Sequence, residues 1–296
     1  MTSFGALAER YGRARRVARN QAMPAADSTT SRLAARGAFV LCFLLAWWAA
    51  SSLVLRGVLP PVAATLGQVA DLMTSHEFYA QLGTTAYRVL IGFSLAFVTS
   101  AVLGTAMGKS RRVESFFEMF ILIGTSQPGL FMAMILLVAL GLKESTAIVV
   151  LAYLATPLIT VNFWQGSKAL DRSLGEVAQV FGYSRRAVVR HVLLPQLLTP
   201  AFAGLRTGLG ITWKYVVIVE SIGLTDGIGY QVTRSFQLFD LQSVIAWTIG
   251  FMAFVLFLEY AVIRPVERRL FAWRDRPGGR LRPETHRDPA KESDHG

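Results

Sequence analysis

The chain has 296 residues, 53% of them hydrophobic and 17% charged, against about 25% charged in an ordinary soluble domain. Its formal net charge of +11 would suit a nucleic-acid binder if the basic residues formed a face on a soluble domain. Instead, 24 of the 30 Lys and Arg residues gather in the two tails and in two polar loops, so nucleic acid is excluded as a partner and membrane topology becomes the explanation.

Residues 1–36 are Arg- and Ala-rich and read as a cytoplasmic tail. Gly37–Leu55 is free of charge and is followed by Arg56 rather than by a small-residue cleavage site, which makes it a retained span and not a secretory leader. Pro60 and Pro61 stop any helix, and 62–80 carries Val62, Leu66, Val69 and Met73 at helical spacing among polar residues. That pattern predicts a helix on the outer surface. A second span covers about 84–108, with Gly92, Ala96, Ser100, Gly104 and Gly108 at every fourth position. Such a ridge lets helix backbones approach closely in lipid, so it reads as a packing face and not a ligand site.

After the basic loop Lys109–Ser115, the apolar stretch 116–141 contains Pro128-Gly129. Proline lacks the amide hydrogen, so this stretch must kink or break there; a packing role and a pore-lining role both remain open. A fourth span covers about 145–164, a fifth 201–221 and a sixth 243–263, with a Gly-rich outer loop at 222–242. Six spans put both termini and the central loop 166–200 in the cytoplasm, in agreement with the charge count. The tail 274–296, rich in Arg, Pro, Asp and Glu, reads as disordered. The fold class is therefore all-α: a polytopic membrane protein with a transmembrane domain over 37–273. Cys42, the single cysteine, cannot form an internal disulfide, and the four histidines lack metal-ligand spacing. No metal and no cofactor bound by this chain is expected.

The central loop carries the most specific signal. Gly182 permits a sharp turn between two short helices. Ser184 is placed to cap the second of them, Val188, Val192 and Leu193 give it an apolar stripe, and Leu194-Pro195 ends it. Arg185, Arg186 and Arg190 give the same segment a positive face. An amphipathic helix with basic flanks suits a groove with an acidic rim.

The spacing of Glu176, Ala178, Gly182, Leu194 and Pro195 resembles the cytoplasmic loop of ATP-binding-cassette importer permeases, with Val177 and Val192 replacing an Ala and an Ile of that pattern. The resemblance extends to Ala203–Gly210, which includes Gly204 and Gly208 as packing positions, and to Glu220, Gly227–Tyr230 and Val266–Arg274. These match the branch associated with nitrate, sulfonate, taurine and bicarbonate. The family's second proline between Pro128 and Gly141 is missing here. The resemblance implies a type I importer permease subunit in the cell inner membrane, coupled through 176–195 to ATPase subunits that use the ATP. It also implies a solute-binding protein outside and a second permease copy, as a homodimer or a heterodimer.

Three ionisable residues are read as intramembrane or nearly so: Lys214, Glu220 and Glu259. Unpaired, each would cost about 2.5–3.5 kcal/mol or more at mid-bilayer. Lys214 and Glu220 fall on different faces of one helix; Lys214 is a candidate for an anionic solute, Glu220 for a gate, and Glu259 for the interface. The rival reading is an ion-gradient-driven secondary transporter or a channel, which usually shows several intramembrane acids or an inverted repeat.

Overall fold

A computed structural model describes residues 29–54, 58–170, 184–188, 190–191 and 194–271. All regular structure among them is helical. The chain divides into two compact units at Gly67.

In the first unit, α1 (Thr29–Ala49) passes into a π-helical turn at Ala50–Val54. The hydroxyls of Ser51 and Ser52 both donate to the Trp48 carbonyl, at 3.0 and 2.6 Å, and such back-bonding competes with the regular helical ladder. Trp47 Nε1 donates to Pro60 O at 3.2 Å. Phe39, Leu41, Phe43 and Trp48 are all more than half exposed, as befits a helix whose solvent is lipid. The first six residues of α2 (Val62–Thr74) also belong here.

The second unit is built on α3 (His76–Lys109), α6 (Glu144–Lys168) and α8 (Leu194–Gly223). Between α3 and α6 lie α4 (Arg111–Ser126) and α5 (Gly129–Leu140), bent by 105° at Gln127-Pro128. The short helix α7 (Arg185–Val188) precedes α8. It is followed by α9 (Ile228–Gln237), α10 (Leu241–Leu258), a π-helical turn at Glu259–Ile263 and α11 (Arg264–Phe271).

The core is the seam where α3, α5, α6 and α8 meet: Val89, Leu137, Val150, Leu151, Val216 and Val219 are fully buried. Trp213 of α8 meets Phe251 and Phe254 of α10 edge-on at 5.9 and 5.6 Å, and Phe78 of α3 packs on Trp247 at 5.8 Å. Edge-on aromatic pairs add to the burial of their area.

Several boundaries differ from the sequence expectation. The helix expected over 62–80 ends at Thr74, because Ser75 accepts from the Phe78 amide at 3.2 Å and starts α3 there. The second span thus begins at His76 and not at 84. Leu194-Pro195 opens α8 instead of ending the preceding helix; a proline this near the helix start forfeits no helical hydrogen bond. The loop 222–242 contains α9.

Among the described residues, four helical stretches are long and apolar enough to cross a membrane: 34–53, 76–109, 144–168 and 241–270; the bent α4–α5 pair makes five. The expected six includes α8, which is about 45 Å long but carries Arg206, Lys214 and Glu220.

Candidate functional site

At one end of the bundle a single arginine gathers four segments. Arg88, on α3, is completely buried. Its Nε and Nη2 donate side-on to the Glu144 carboxylate of α6, at 3.1 and 2.7 Å. Nη1 donates to Glu220 Oε1 of α8 at 2.9 Å and to the Asp226 carbonyl at 3.1 Å. Nη2 also reaches Asp226 Oδ1 at 2.5 Å. The planar fork of arginine suits this multiple recognition, which the point charge of lysine could not reproduce.

Glu220 is equally buried, and both of its oxygens are used. Oε2 accepts from Thr85 Oγ1 at 3.0 Å and from the Gly229 amide at 2.9 Å. Thr85 Oγ1 in turn accepts from the Ile228 amide at 2.9 Å, and Gln81 Oε1 accepts from the Gly227 amide at 2.6 Å. Two glycines make this approach possible. Gly227 has φ +96°, and a Cβ there would lie 2.3 Å from the Glu220 carboxyl carbon; a Cβ on Gly229 would lie 2.3 Å from the Val217 carbonyl oxygen. Two of the three carboxylates, Glu144 and Asp226, are about half exposed, so water screens the excess negative charge while the Arg88–Glu220 pair stays dry.

The small-residue ridge of α3 packs on α6. A Cβ added at Gly92 would lie 2.9 Å from Leu151 Cβ, at Gly104 2.6 Å from Phe163 Cβ, and at Gly108 2.3 Å from Ser167 Cβ. Ser100 Oγ donates to the Thr156 carbonyl at 2.9 Å, and Ala96 is fully buried. On α8, a Cβ at Gly208 would lie 2.5 Å from Ile159 Cδ1, whereas Gly204 sits at ordinary contact distance, 3.4 Å.

At the other end, Arg206 of α8 donates to Glu259 Oε1 at 2.5 Å and to Glu267 Oε2 at 2.8 Å, tying α8 to the α10–α11 region. Lys168 pairs with Glu114. Here α6 ends and α8 begins, and between them lies a cavity of about 650 Å³ lined by Asn162, Gln165, Gly166, Gln196, Thr199 and Pro200, among others.

Of the expected coupling residues, Glu176, Ala178, Gly182 and Val192 lie outside the described residues. Ser184 Oγ accepts from the Ala187 amide at 3.2 Å, and Val188 is buried. Arg186 is exposed, and Arg185 is the first residue of α7. Leu194 and Pro195 open α8. Pro128 stands at the break before α5. Lys214 is exposed, and no ion pair reaches it among the described residues.

The sequence reading passed over Arg88 and Arg206. Arg88 sits about 18 Å into the helix that starts at His76. The readable signal was a balance of charge, since an acid such as Glu220 inside an apolar helix requires a cation nearby.

Residues 88–270 match the family described as binding-protein-dependent transport system inner membrane component. The chain is 28% identical over 218 residues to the aliphatic sulfonates transport permease protein SsuC of Bacillus subtilis (strain 168), which covers 74% of this chain and 79% of that protein. It is 26% identical over 237 residues to the taurine transport system permease protein TauC of Escherichia coli (strain K12), covering 78% and 86%. An ABC transporter permease protein of Methanocaldococcus jannaschii, MJ0413, is 30% identical over 227 residues, covering 73% and 83%.

Proposed function

Because this chain belongs to the binding-protein-dependent transport system inner membrane component family, a family of multi-pass membrane subunits, we propose that it forms half of the translocation path of an ATP-driven importer for a small organic anion of the sulfonate or taurine type. ATP is used by partner ATPase subunits, and this chain performs no covalent chemistry. A solute-binding protein delivers cargo on the Arg88 side. The Arg206 side faces the cytoplasm, and the excess of basic residues in both tails and in 166–200 assigns those segments to the same compartment. A second permease copy, most simply an identical one, completes the path.

The observation that carries this reading is where the coupling segment is rooted. Its two ends continue into α6 and α8, and these helices are keyed together at short range: a Cβ on Gly166 would lie 2.2 Å from Pro200 Cβ, and Gly208 abuts Ile159. Force applied to residues 171–193 by an ATPase therefore enters two interlocked helices directly. Closely packed elements move as a body, because packed interiors do not deform continuously. Closure of the ATPase pair on ATP draws the coupling segments together and rocks the helices outward-facing; hydrolysis resets them.

The test is Gly182→Leu in the reconstituted complex. Membrane insertion is expected to persist, while co-purification of the ATPase falls and ATP-driven uptake is abolished. Uptake at the wild-type rate would contradict the coupling role.

A further inference from the structure

Between α9 and α10 the chain turns a corner through Leu238, Phe239 and Asp240, and the corner is tightly built. The Asp240 amide donates to the Ser235 carbonyl and the Phe239 amide to the Phe236 carbonyl, both at 3.0 Å. These are the paired bonds of a helix end closed by one left-handed residue. That residue is Phe239, at φ +57°, the one non-glycine residue with positive φ among the described residues. Asp240 then starts α10: its carboxylate accepts from the Ser243 amide at 3.0 Å and from the Ser243 hydroxyl at 2.5 Å. Ser243 Oγ in turn accepts from Gln68 Nε2 of α2 at 2.7 Å.

The other end of α9 is fastened as firmly. Gln81, Thr85 and Glu220 accept from the amides of Gly227, Ile228 and Gly229, and Gln231 Nε2 donates to Glu77 Oε1 at 3.3 Å. A helix held at both ends carries what it projects in a fixed place. What this one projects is apolar: Phe236, Leu238 and Phe239 are 69%, 70% and 93% exposed. Glycine closes such a turn without strain, whereas an aromatic residue there is a steric outlier. The Phe239 ring gains almost no packing within the chain in return, so its use lies outside the chain.

The neighbouring surface says what covers it. The corner leads directly into the apolar stretch 241–270, on which Met252, Leu256 and Phe257 are 54%, 49% and 63% exposed, a face that only acyl chains solvate. Glu259, toward the far end of that stretch, pairs with Arg206, so α10 runs from the Arg88 side to the Arg206 side and the corner stands where it enters the bilayer. Phe and Leu side chains at such a point bury in the interfacial zone. The exposed residues around them are Arg234, Gln237 and Asp240. Three apolar side chains in a polar surround fall well short of the roughly 20–30 residues a side of a stable protein interface. They do suit a boundary where apolar tips reach into lipid and a guanidinium meets phosphate groups.

We infer that the α9–α10 corner is a membrane-interface anchor: Phe236, Leu238 and Phe239 insert among the phospholipids of the leaflet on the Arg88 side, with Arg234 at the level of their phosphates. The helix whose first residues hold the Glu220 carboxylate is thereby held at its last residues by lipid, which ties the Arg88 cluster to the bilayer surface. The anchor needs only that α10 spans the membrane, and so does not rest on the importer reading.

The test uses the full chain assembled with its ATPase in vesicles of phosphatidylethanolamine and phosphatidylglycerol. Cys42 is replaced by serine, and a nitroxide is attached at Phe239→Cys or, separately, at Phe236→Cys, where exposed side chains leave room for it. Phe257→Cys on the lipid face of α10 and Arg112→Cys in the basic loop supply the lipid and water references. Collision of the label with dissolved oxygen, which concentrates in lipid, is compared with its collision with a water-soluble nickel chelate. At both corner positions the oxygen-to-nickel ratio is expected to stand several-fold above that at position 112, toward that at 257, and to stay there when the binding protein is added. A ratio at position 239 equal to that at 112 would overturn the anchor. Protection from both reagents would overturn it too, marking a protein partner in place of lipid, and protection that appears only with the binding protein would name that partner. No transport is measured, so the result stands apart from the importer reading, whose failure would show as uptake without the ATPase.

Discussion

The two ends of the bundle each hold an arginine among carboxylates, yet the two clusters differ in kind. Around Arg88 the guanidinium is fully buried and joins α3, α6, α8 and the 224–227 turn through five hydrogen bonds. Around Arg206 the side chain is 42% exposed and makes two, to Glu259 and Glu267. Burial decides what each can do. Dry charges cannot separate without stranding one another in a poor dielectric, so the Arg88 end is a weld. Wet charges exchange freely with water and salt, so the Arg206 end is a clasp that can yield. On the coupling proposed above, in which force enters at the Arg206 end, that asymmetry puts the fixed point far from the applied force.

The comparison breaks most sharply at Arg88. Arg88→Met leaves Glu220 buried without its cation, at a cost of about 3–5 kcal/mol, and is expected to lower thermal stability in detergent and the yield of monodisperse protein. Adding Glu220→Gln removes the stranded charge and should recover part of the loss. A double variant as unstable as the sum of the two singles would show that the pair is not coupled. Arg206→Ala tests the opposite case: an exposed pair contributes about 0.2–1 kcal/mol, so its effect on melting should be small and should fade in high salt. An effect as large as that of Arg88→Met would end the distinction between weld and clasp.

Much of this was legible in the sequence, for reasons that particular residues make clear. The ridge Gly92–Gly108 could be read because a four-residue period of small side chains has one use in lipid, and it is the face pressed on Leu151 and Phe163. The break at Pro128 followed from the missing amide hydrogen. Glu220 was singled out because an acid in an apolar helix needs a reason. Its partner was not, since hydropathy marks where a span is and not where its helix starts; Ser75 settles that through one cap hydrogen bond. Gly227 and Gly229 suggested a loop, because glycine in sequence does not distinguish a flexible turn from a close approach. Here they let α9 begin against the Glu220 carboxylate. Pro195 was read as a terminator for a similar reason, since proline serves both at the end of one helix and in the first turn of the next.

Reconstituted transport tests the central claim most directly. Proteoliposomes containing this chain, its ATPase and its binding protein should accumulate the solute that the binding protein captures only when ATP is supplied on the ATPase side. Vesicles holding this chain alone under a proton or sodium gradient should accumulate none. Accumulation at the full rate by the chain alone, with no ATPase present, would contradict the account.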